Sequence, residues 1–159
     1  MAVEDCDQAL FEIYGKVKKN LAQGKGSKHM VVNFGVAAGR TMISLETLGK
    51  NIKDFRVADE RGNKFAQLPI DPGFDKDQKI SCSSLNLAAV CDLMKKTHPV
   101  ELSTNAGEYI CNYMYYKNLK IQCELASQYP GRVHSLFVHV PQFDKVKETD
   151  QQNLVCDLL

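Results

Sequence analysis

The chain contains a short apolar run, Met30-Val31-Val32-Asn33-Phe34-Gly35-Val36, on which the prediction of its fold depends. Because the run is short, apolar and rich in β-branched residues, it predicts a buried strand. Upstream, between Asp7 and Gln23, apolar residues recur at the spacing of a helix face. The glycine-containing segment 24–28 separates the two. This order of helix, glycine-rich turn and apolar strand is typical of an α/β protein with parallel strands.

Further strands and helices are predicted downstream. Val100-Glu101-Leu102 predicts a short strand, and Ser135–Val140 predicts a longer one that ends at a proline. A helix with a leucine-rich face is predicted after Ser83 or Ser84, either of which could cap it. The segment 43–51 is compatible with a strand or a short helix, and the span 50–84 is rich in turn signals. Long loops of this kind often form binding regions.

The segment Ser103-Thr104-Asn105-Ala106-Gly107 leads into a predicted helix that carries Cys111. Its small polar residues are candidates for the helix cap, and Ala106-Gly107 allows a tight turn. We therefore expect Cys111 about a turn and a half into the helix. A thiol near a helix N-terminus is favoured as the thiolate by the helix dipole. Cys111 is thus a candidate nucleophile, provided that a histidine lies beside it.

Composition narrows the class of protein. The chain has 159 residues, of which 44% are hydrophobic and 25% charged, with a net charge of +1. These values predict one globular domain over residues 1–159 and give no electrostatic reason to expect nucleic acid or a membrane as partner. No apolar run is long enough to span a bilayer, and the acidic start does not resemble a signal peptide. None of the six cysteines forms a C-x-x-C pair, so we expect free thiols, no metal site and a cytosolic location.

Four histidines are available to pair with Cys111. We expect His29, His98 and His134 to be exposed surface residues. His139 differs because it lies near the C-terminal end of a predicted strand, where ligand crevices form in open α/β sheets. From the residues alone, a hydrogen-bonded core histidine and a functional one both remain open. Glu46 is a charge in an otherwise apolar neighbourhood, although the chain has many other carboxylates.

Three motifs, in order along the chain, resemble those of the type I pyroglutamyl peptidases, also called pyrrolidone-carboxylate peptidases. Ser103–Asn112 resembles the family's Ser-x-x-Ala-Gly-x-Tyr-x-Cys-Asn signature. Phe137–Pro141 resembles its Phe-x-His-x-Pro box. Phe34-Gly35-Val36, followed by Leu45-Glu46 and Arg56, resembles a Gly-Val-x-x-x-Gly segment with a catalytic glutamate and a nearby arginine.

The resemblance implies a cysteine peptidase that removes N-terminal pyroglutamate from peptides without a metal or organic cofactor. Cys111 would be the nucleophile, His139 the acid and base, and Glu46 the carboxylate that orients the imidazole. Backbone N–H groups near Cys111, together with Arg56, would stabilise the oxyanion. His139 would also keep Cys111 as a thiolate. Some family members are tetramers and others monomers, so a homo-oligomer is compatible with the resemblance.

The resemblance also implies a single α/β/α domain of three layers around a mixed, mostly parallel sheet. Family members begin with a strand and a Gly-Phe-x-Pro-Phe loop, whose aromatic residues flank the lactam ring. This sequence has no such segment, which implies a domain shortened by one N-terminal strand and makes Phe34, Phe55 and Phe65 candidates for the aromatic contact. The alternative function is a weakly active or inactive homologue that serves as a binding or interaction module.

Overall fold

The computed structural model describes residues 1–24, 28–81 and 84–158. The helices in these residues are α1 (Val3–Ala22), α2 (Leu87–Met94), α3 (Ile110–Ala126) and α4 (Glu148–Leu158). The strands are β1 (His29–Val36), β2 (Ile43–Glu46), β3 (Leu48–Lys50), β4 (Lys79–Ser81), β5 (Val100–Ser103) and β6 (Val133–Val140). None of the described helices has the length and apolar character of a membrane span.

The main sheet has the strand order β1-β6-β2-β5. β1 pairs with β6 and β2 with β5 in parallel, whereas β6 and β2 are antiparallel. β3 and β4 form a separate antiparallel pair. α1 packs on α3, and α2 packs on β5 and α4. The predicted α/β class with a mixed, mostly parallel sheet is therefore confirmed.

The first helix forms because its apolar residues fall on one face. Leu10, Tyr14 and Leu21 are buried at helical spacing, as predicted. The helix begins at Val3, earlier than the predicted start at Asp7. The extra turn is held by Asp5, whose carboxylate accepts a hydrogen bond from the backbone N–H of Ala2 at 2.9 Å. A carboxylate in the first turn also interacts favourably with the helix dipole.

The undecided segment 43–51 contains two strands, β2 and β3, that belong to different sheets. The predicted serine cap of α2 is wrong at Ser84, because the residue that caps this helix is Asn86, whose side chain accepts a hydrogen bond from the Ala89 N–H at 3.1 Å. Ser83, the other candidate, lies outside the described residues. The span 50–84 is mostly loop, as predicted, and Leu68 makes only an isolated bridge to Lys53.

The start of α3 is fixed against β3 by close contacts. The fully buried Asn112 donates hydrogen bonds to the carbonyls of Lys50 and Ile52, at 3.0 and 2.8 Å, and accepts one from the Lys50 N–H at 2.9 Å. At Gly49 a Cβ atom would lie only 2.9 Å from the Cα of Tyr116. The absence of a side chain at Gly49 therefore lets the helix pack directly on the strand.

A buried polar cluster joins two helices and two strands of the main sheet. The hydroxyl of Tyr14 on α1 hydrogen-bonds to the side chain of Asn118 on α3 and lies 2.9 Å from the Ser135 hydroxyl on β6. The amide of Asn118 also donates to the Asn33 side chain on β1. Tyr14, Asn118 and Ser135 are at most 2% exposed. Burial raises the pKa of Tyr14 to about 12.

Candidate active site

Cys111 is the second residue of α3, closer to the helix N-terminus than predicted. The helix starts at Ile110, and its N-cap residue, Tyr109, makes no side-chain cap. The prediction of a cap within residues 103–105 is therefore wrong. Local hydrogen bonds occupy these side chains instead: the Asn105 N–H donates to the Ser103 hydroxyl at 3.1 Å, and the Gly107 N–H donates to the Asn105 side chain at 3.2 Å.

The sulfur of Cys111 lies against the backbone of β1. A Cβ atom at Gly35 would be 3.0 Å from this sulfur and 2.9 Å from the ring of Phe137. Cys111 is half-buried and borders a cavity of about 230 Å³. The cavity is lined by Met1, Asn33, Phe34, Gly35, Ile110, Cys111, Met114 and Phe137. The predicted contact residue Phe34 thus shares this mainly apolar cavity with the candidate nucleophile.

Glu46 and His139 form a buried pair across β2 and β6. Nδ1 of His139 lies 2.7 Å from Oε1 of Glu46. The glutamate is completely buried and the histidine is 4% exposed. With Glu46 ionised, Nδ1 carries the proton and donates to the carboxylate, which leaves Nε2 as the basic atom. This arrangement orients an imidazole for proton transfer.

The strand register places His139 next to Gly35, the β1 residue that lies close to the Cys111 sulfur. Gly35, which touches the Cys111 sulfur, is the partner of His139 in the parallel β1–β6 ladder. The ring of Phe137, which borders the cysteine cavity, has its centroid 4.9 Å from that of His139. Residues far apart in the sequence are therefore collected around one short stretch of β1 and β6.

Arg40 belongs to the same cluster, although the sequence analysis missed it. Its Nη2 atom lies 2.8 Å from Oε1 of Glu46 and 2.7 Å from the carbonyl oxygen of Asn105. Arg40 follows the small-residue loop at the end of β1. Arg40 could have been identified from the apolar sequence around Glu46, because a buried carboxylate requires a cation or hydrogen-bond donors nearby.

A family model described as pyroglutamyl peptidase matches residues 6–156. The chain belongs to the pyroglutamyl peptidase family.

Pyrrolidone-carboxylate peptidases are among its curated relatives. The protein from Alkaliphilus oremlandii is 34% identical over 119 residues, which are 74% of this chain and 52% of the relative. The protein from Pyrococcus furiosus is 31% identical over 135 residues, which are 81% of this chain and 60% of the relative. The chain thus spans between about half and three fifths of the length of these two relatives.

Solved structures of the family superpose on the chain. A mutant pyrrolidone carboxyl peptidase from P. furiosus matches with a TM-score of 0.66 at 26% identity, covering 94% of this chain and 64% of that one. Pyroglutamyl peptidase I from Bacillus amyloliquefaciens matches with a TM-score of 0.59 at 25% identity, covering 70% and 52%. The fold of this chain is accordingly that of a pyroglutamyl peptidase over the matched part.

In this family member the Cys111 thiol has a raised pKa, in contrast to the expectation of a stabilised thiolate. Burial of the sulfur is the main cause, and the negative charge of Glu46 adds to it. The positive charge of Arg40 and the backbone N–H of Cys111 act in the opposite direction and only partly offset burial. A thiol with a raised pKa keeps its proton to higher pH, so attack on a substrate requires a base that takes this proton.

Arg56, the predicted oxyanion ligand, lies elsewhere. It is exposed and borders a second cavity, of about 630 Å³, which is also lined by residues of the loop that leads into α3. This cavity is lined by Asp54, Arg56, Val57, Asn105, Gly107, Glu108 and Tyr109. Arg56 does not border the cavity that contains Cys111, and its role in the family reaction stays a prediction.

The other histidines are less exposed than predicted. His98 is buried and its Nε2 lies 2.8 Å from Asp157 on α4, so the prediction of a surface residue is wrong. His29 and His134 are half-buried. The reason is long-range packing, since the partner of His98 is 59 positions away. Among the described residues, no group of three or more His, Cys, Asp and Glu side chains has the arrangement of a metal site.

Proposed function

We propose that this chain removes N-terminal pyroglutamyl residues from peptides by cysteine catalysis. The buried hydrogen bond of 2.7 Å between Glu46 and His139 carries the proposal, because the His139 ring packs against Phe137, which borders the Cys111 cavity. A histidine oriented by a carboxylate next to a thiol is the arrangement that acyl transfer requires. Membership of the pyroglutamyl peptidase family supports the choice of substrate.

In the proposed reaction, Nε2 of His139 takes the proton of the Cys111 thiol as the sulfur attacks the pyroglutamyl carbonyl carbon. A raised thiol pKa fits this order, because the proton leaves only when the sulfur attacks. The imidazolium then gives the proton to the leaving amine, and the C–N bond breaks. Water, activated by the same imidazole, hydrolyses the thioester and releases pyroglutamate and free Cys111.

The negative oxygen of the tetrahedral intermediate requires hydrogen-bond donors. The first turn of any α-helix leaves backbone N–H groups without partners in the helix, and Cys111 lies in the first turn of α3. These N–H groups, at the positive end of the helix dipole, form the proposed oxyanion site. Arg56, which borders the neighbouring cavity, stays a candidate for an additional donor.

The cavity beside Cys111 favours an uncharged ring. Its walls are mostly aromatic and aliphatic, with Asn33 as a polar residue at the edge. The pyroglutamyl lactam carries no charge, whereas an N-terminal glutamyl residue carries two charged groups that would lose their hydration there. Phe34 supplies the aromatic wall in this proposal.

The test is hydrolysis of a fluorogenic pyroglutamyl amide by the 159-residue chain and its Cys111→Ala variant. We expect release of the fluorophore by the wild type and a loss of at least 10³-fold in the variant, because the nucleophile is removed. Cys123→Ala is the matched control, since this cysteine is exposed on the same helix. Glutamyl and prolyl amides with the same leaving group should be poor substrates.

Equal rates for the wild type and Cys111→Ala would refute the assignment of the nucleophile. A wild-type chain that binds pyroglutamyl peptides without cleaving them would instead support the alternative, a binding module.

A further inference from the structure

We infer that Arg40 is a positioning residue, which holds the Glu46 carboxylate and the loop that leads to Cys111 in one fixed arrangement. The inference rests on the proposed function for the reaction that it serves. Its structural basis is that a single guanidinium contacts both the Glu46 carboxylate and the carbonyl of Asn105, in the loop that precedes Cys111.

The geometry connects three parts of the chain. Arg40 lies just after β1 and its own N–H donates to the Ala37 carbonyl at 3.0 Å, which forms a tight turn. From this turn, Nη2 reaches Oε1 of Glu46 on β2 and the carbonyl of Asn105 in the loop before α3. Since the two N–H bonds of Nη2 have fixed directions in the guanidinium plane, they set the distance between the carboxylate and the loop.

Glu46 needs this partner because it has few others. Oε1 receives both the imidazole of His139 and the guanidinium of Arg40, at 2.7 and 2.8 Å. Oε2 is buried and has no hydrogen-bond partner among the described residues. Loss of the guanidinium would leave a fully buried carboxylate with the imidazole as its main partner. The carboxylate would then be free to rotate and to release the imidazole from its orientation.

The loop before α3 depends on the same side chain. The Asn105 carbonyl accepts from Arg40, while the Asn105 side chain accepts from the Lys50 amine at 2.9 Å and from the Gly107 N–H at 3.2 Å. Asn105 is therefore held from two sides, and Gly107 adopts the left-handed conformation, with φ +81°, that the turn into the helix requires. Loss of the hydrogen bond from Arg40 would loosen the segment that leads into the first turn of α3, where Cys111 lies.

Electrostatics gives Arg40 and Glu46 opposite effects on the nucleophile. The charge of Glu46 raises the pKa of the Cys111 thiol, and the charge of Arg40 lowers it. Removal of either charge should slow the reaction, yet the two variants should shift thiol ionisation in opposite directions. A role in folding alone would not produce this difference.

The experiment compares Arg40→Met, Arg40→Lys and Glu46→Gln with the wild type. Alkylation of Cys111 by iodoacetamide is followed from pH 6 to 11 by mass spectrometry of its peptide, with the exposed Cys123 in the same samples as internal reference. We expect the Cys111 profile to move to higher pH in Arg40→Met and to lower pH in Glu46→Gln. Arg40→Lys should remain close to the wild type, because it keeps the charge.

Hydrolysis of the pyroglutamyl amide tests the positioning itself. Arg40→Met should lower kcat by about 10²-fold with little change in KM, because misplacement of catalytic groups affects the chemical step. Arg40→Lys should lose less, since it retains the charge without the planar geometry. Arg61→Met is the matched control, as Arg61 is exposed and pairs with Asp5 at the start of α1.

A folded Arg40→Met variant with wild-type kcat, or with an unchanged alkylation profile, would overturn the inference. If Arg40→Met does not fold, Arg40→Lys decides, and wild-type kcat in that variant would count against a positioning role. Alkylation needs no substrate. If the wild type does not cleave pyroglutamyl amides, the proposed function fails, while the pH profiles still decide whether Arg40 acts on the site.

Discussion

Gly35 sets how closely the backbone of β1 approaches the Cys111 sulfur. A Cβ atom there would meet the sulfur at 3.0 Å and the Phe137 ring at 2.9 Å, both tighter than normal contacts. The ring is only 2% exposed and cannot move aside without disturbing the core. The cysteine side chain, which is short and borders a cavity, is the group that would rotate away.

We therefore expect Gly35→Ala to lower kcat/KM for the pyroglutamyl amide by about 10²-fold, because the sulfur is displaced from its working position. The free energy of unfolding should fall by about 1–3 kcal/mol from overpacking. Steady-state kinetics and urea unfolding measure the two effects. Gly39→Ala is the control, because a Cβ atom added at Gly39 would have no neighbouring atom within 4 Å. Wild-type kinetics in Gly35→Ala would show that this sulfur position is not the reactive one.

At the level of single residues, the sequence was informative where chemistry leaves a local pattern. Cys111, His139 and Glu46 lie in short motifs, and the structure places the last two in contact. Arg40 has no such motif, because its importance comes from a carboxylate on another strand and a carbonyl on a distant loop. The burial of His98 was missed for the same reason.

At the level of secondary-structure elements, one glycine determines how closely α3 packs on β3. A Cβ at Gly49 would lie 2.9 Å from the Cα and 3.0 Å from the backbone nitrogen of Tyr116. Backbone atoms cannot rotate away as a side chain can. The fully buried Asn112 holds the same helix start to the backbone on both sides of Asn51. The helix that carries Cys111 is therefore positioned by contacts of its first two turns.

Gly49→Ala should lower the free energy of unfolding by about 1–3 kcal/mol, because the helix must move away from the strand. Gly15→Ala provides the contrast: Gly15 lies inside α1, is exposed and has no atom within 4 Å of its added Cβ. This second change should stabilise the protein by about 0.5–1 kcal/mol through helix propensity. Urea unfolding monitored by circular dichroism measures both. Equal effects of the two substitutions would contradict the proposed contact at Gly49.

The elements themselves were mostly predictable, whereas their ends were not. The alternation of helix and apolar strand predicted the α/β class, and β1 and β6 lie where the apolar runs indicated. The predicted position of the α3 cap was wrong because the side chains of Ser103 and Asn105 accept hydrogen bonds from the loop backbone rather than from the helix. Whether such a side chain caps the helix or stabilises a turn depends on the surrounding contacts. Here these contacts are made by Arg40 and Lys50, which lie far from the loop in the sequence.

On the scale of the whole molecule, buried hydroxyl and thiol groups make stability depend on alkaline pH. Burial raises the pKa of Tyr14 to about 12 and that of Cys6 to about 12. In the unfolded chain the same groups ionise at their ordinary values, about 10 and 8.5. Because the folded state keeps its protons to higher pH, these groups contribute stability below the unfolded pKa. That stability is lost as pH rises toward 12.

Substitution of Tyr14 tests the predicted loss of stability at alkaline pH. Urea unfolding of the wild type should show a fall in the free energy of unfolding between pH 9 and 11.5. Tyr14→Phe should be less stable than the wild type at pH 8, since the hydrogen bonds to Asn118 and Ser135 are lost. Its stability should nevertheless fall less steeply with pH, by up to about 2 kcal/mol over the window, because one titrating group is absent. Tyr129→Phe, at the loop after α3, is the matched control for removal of a tyrosine hydroxyl outside the cluster. A Tyr14→Phe variant with the wild-type slope would mean that the Tyr14 hydroxyl is accessible to water, and that the cluster joining α1, α3, β1 and β6 is not closed.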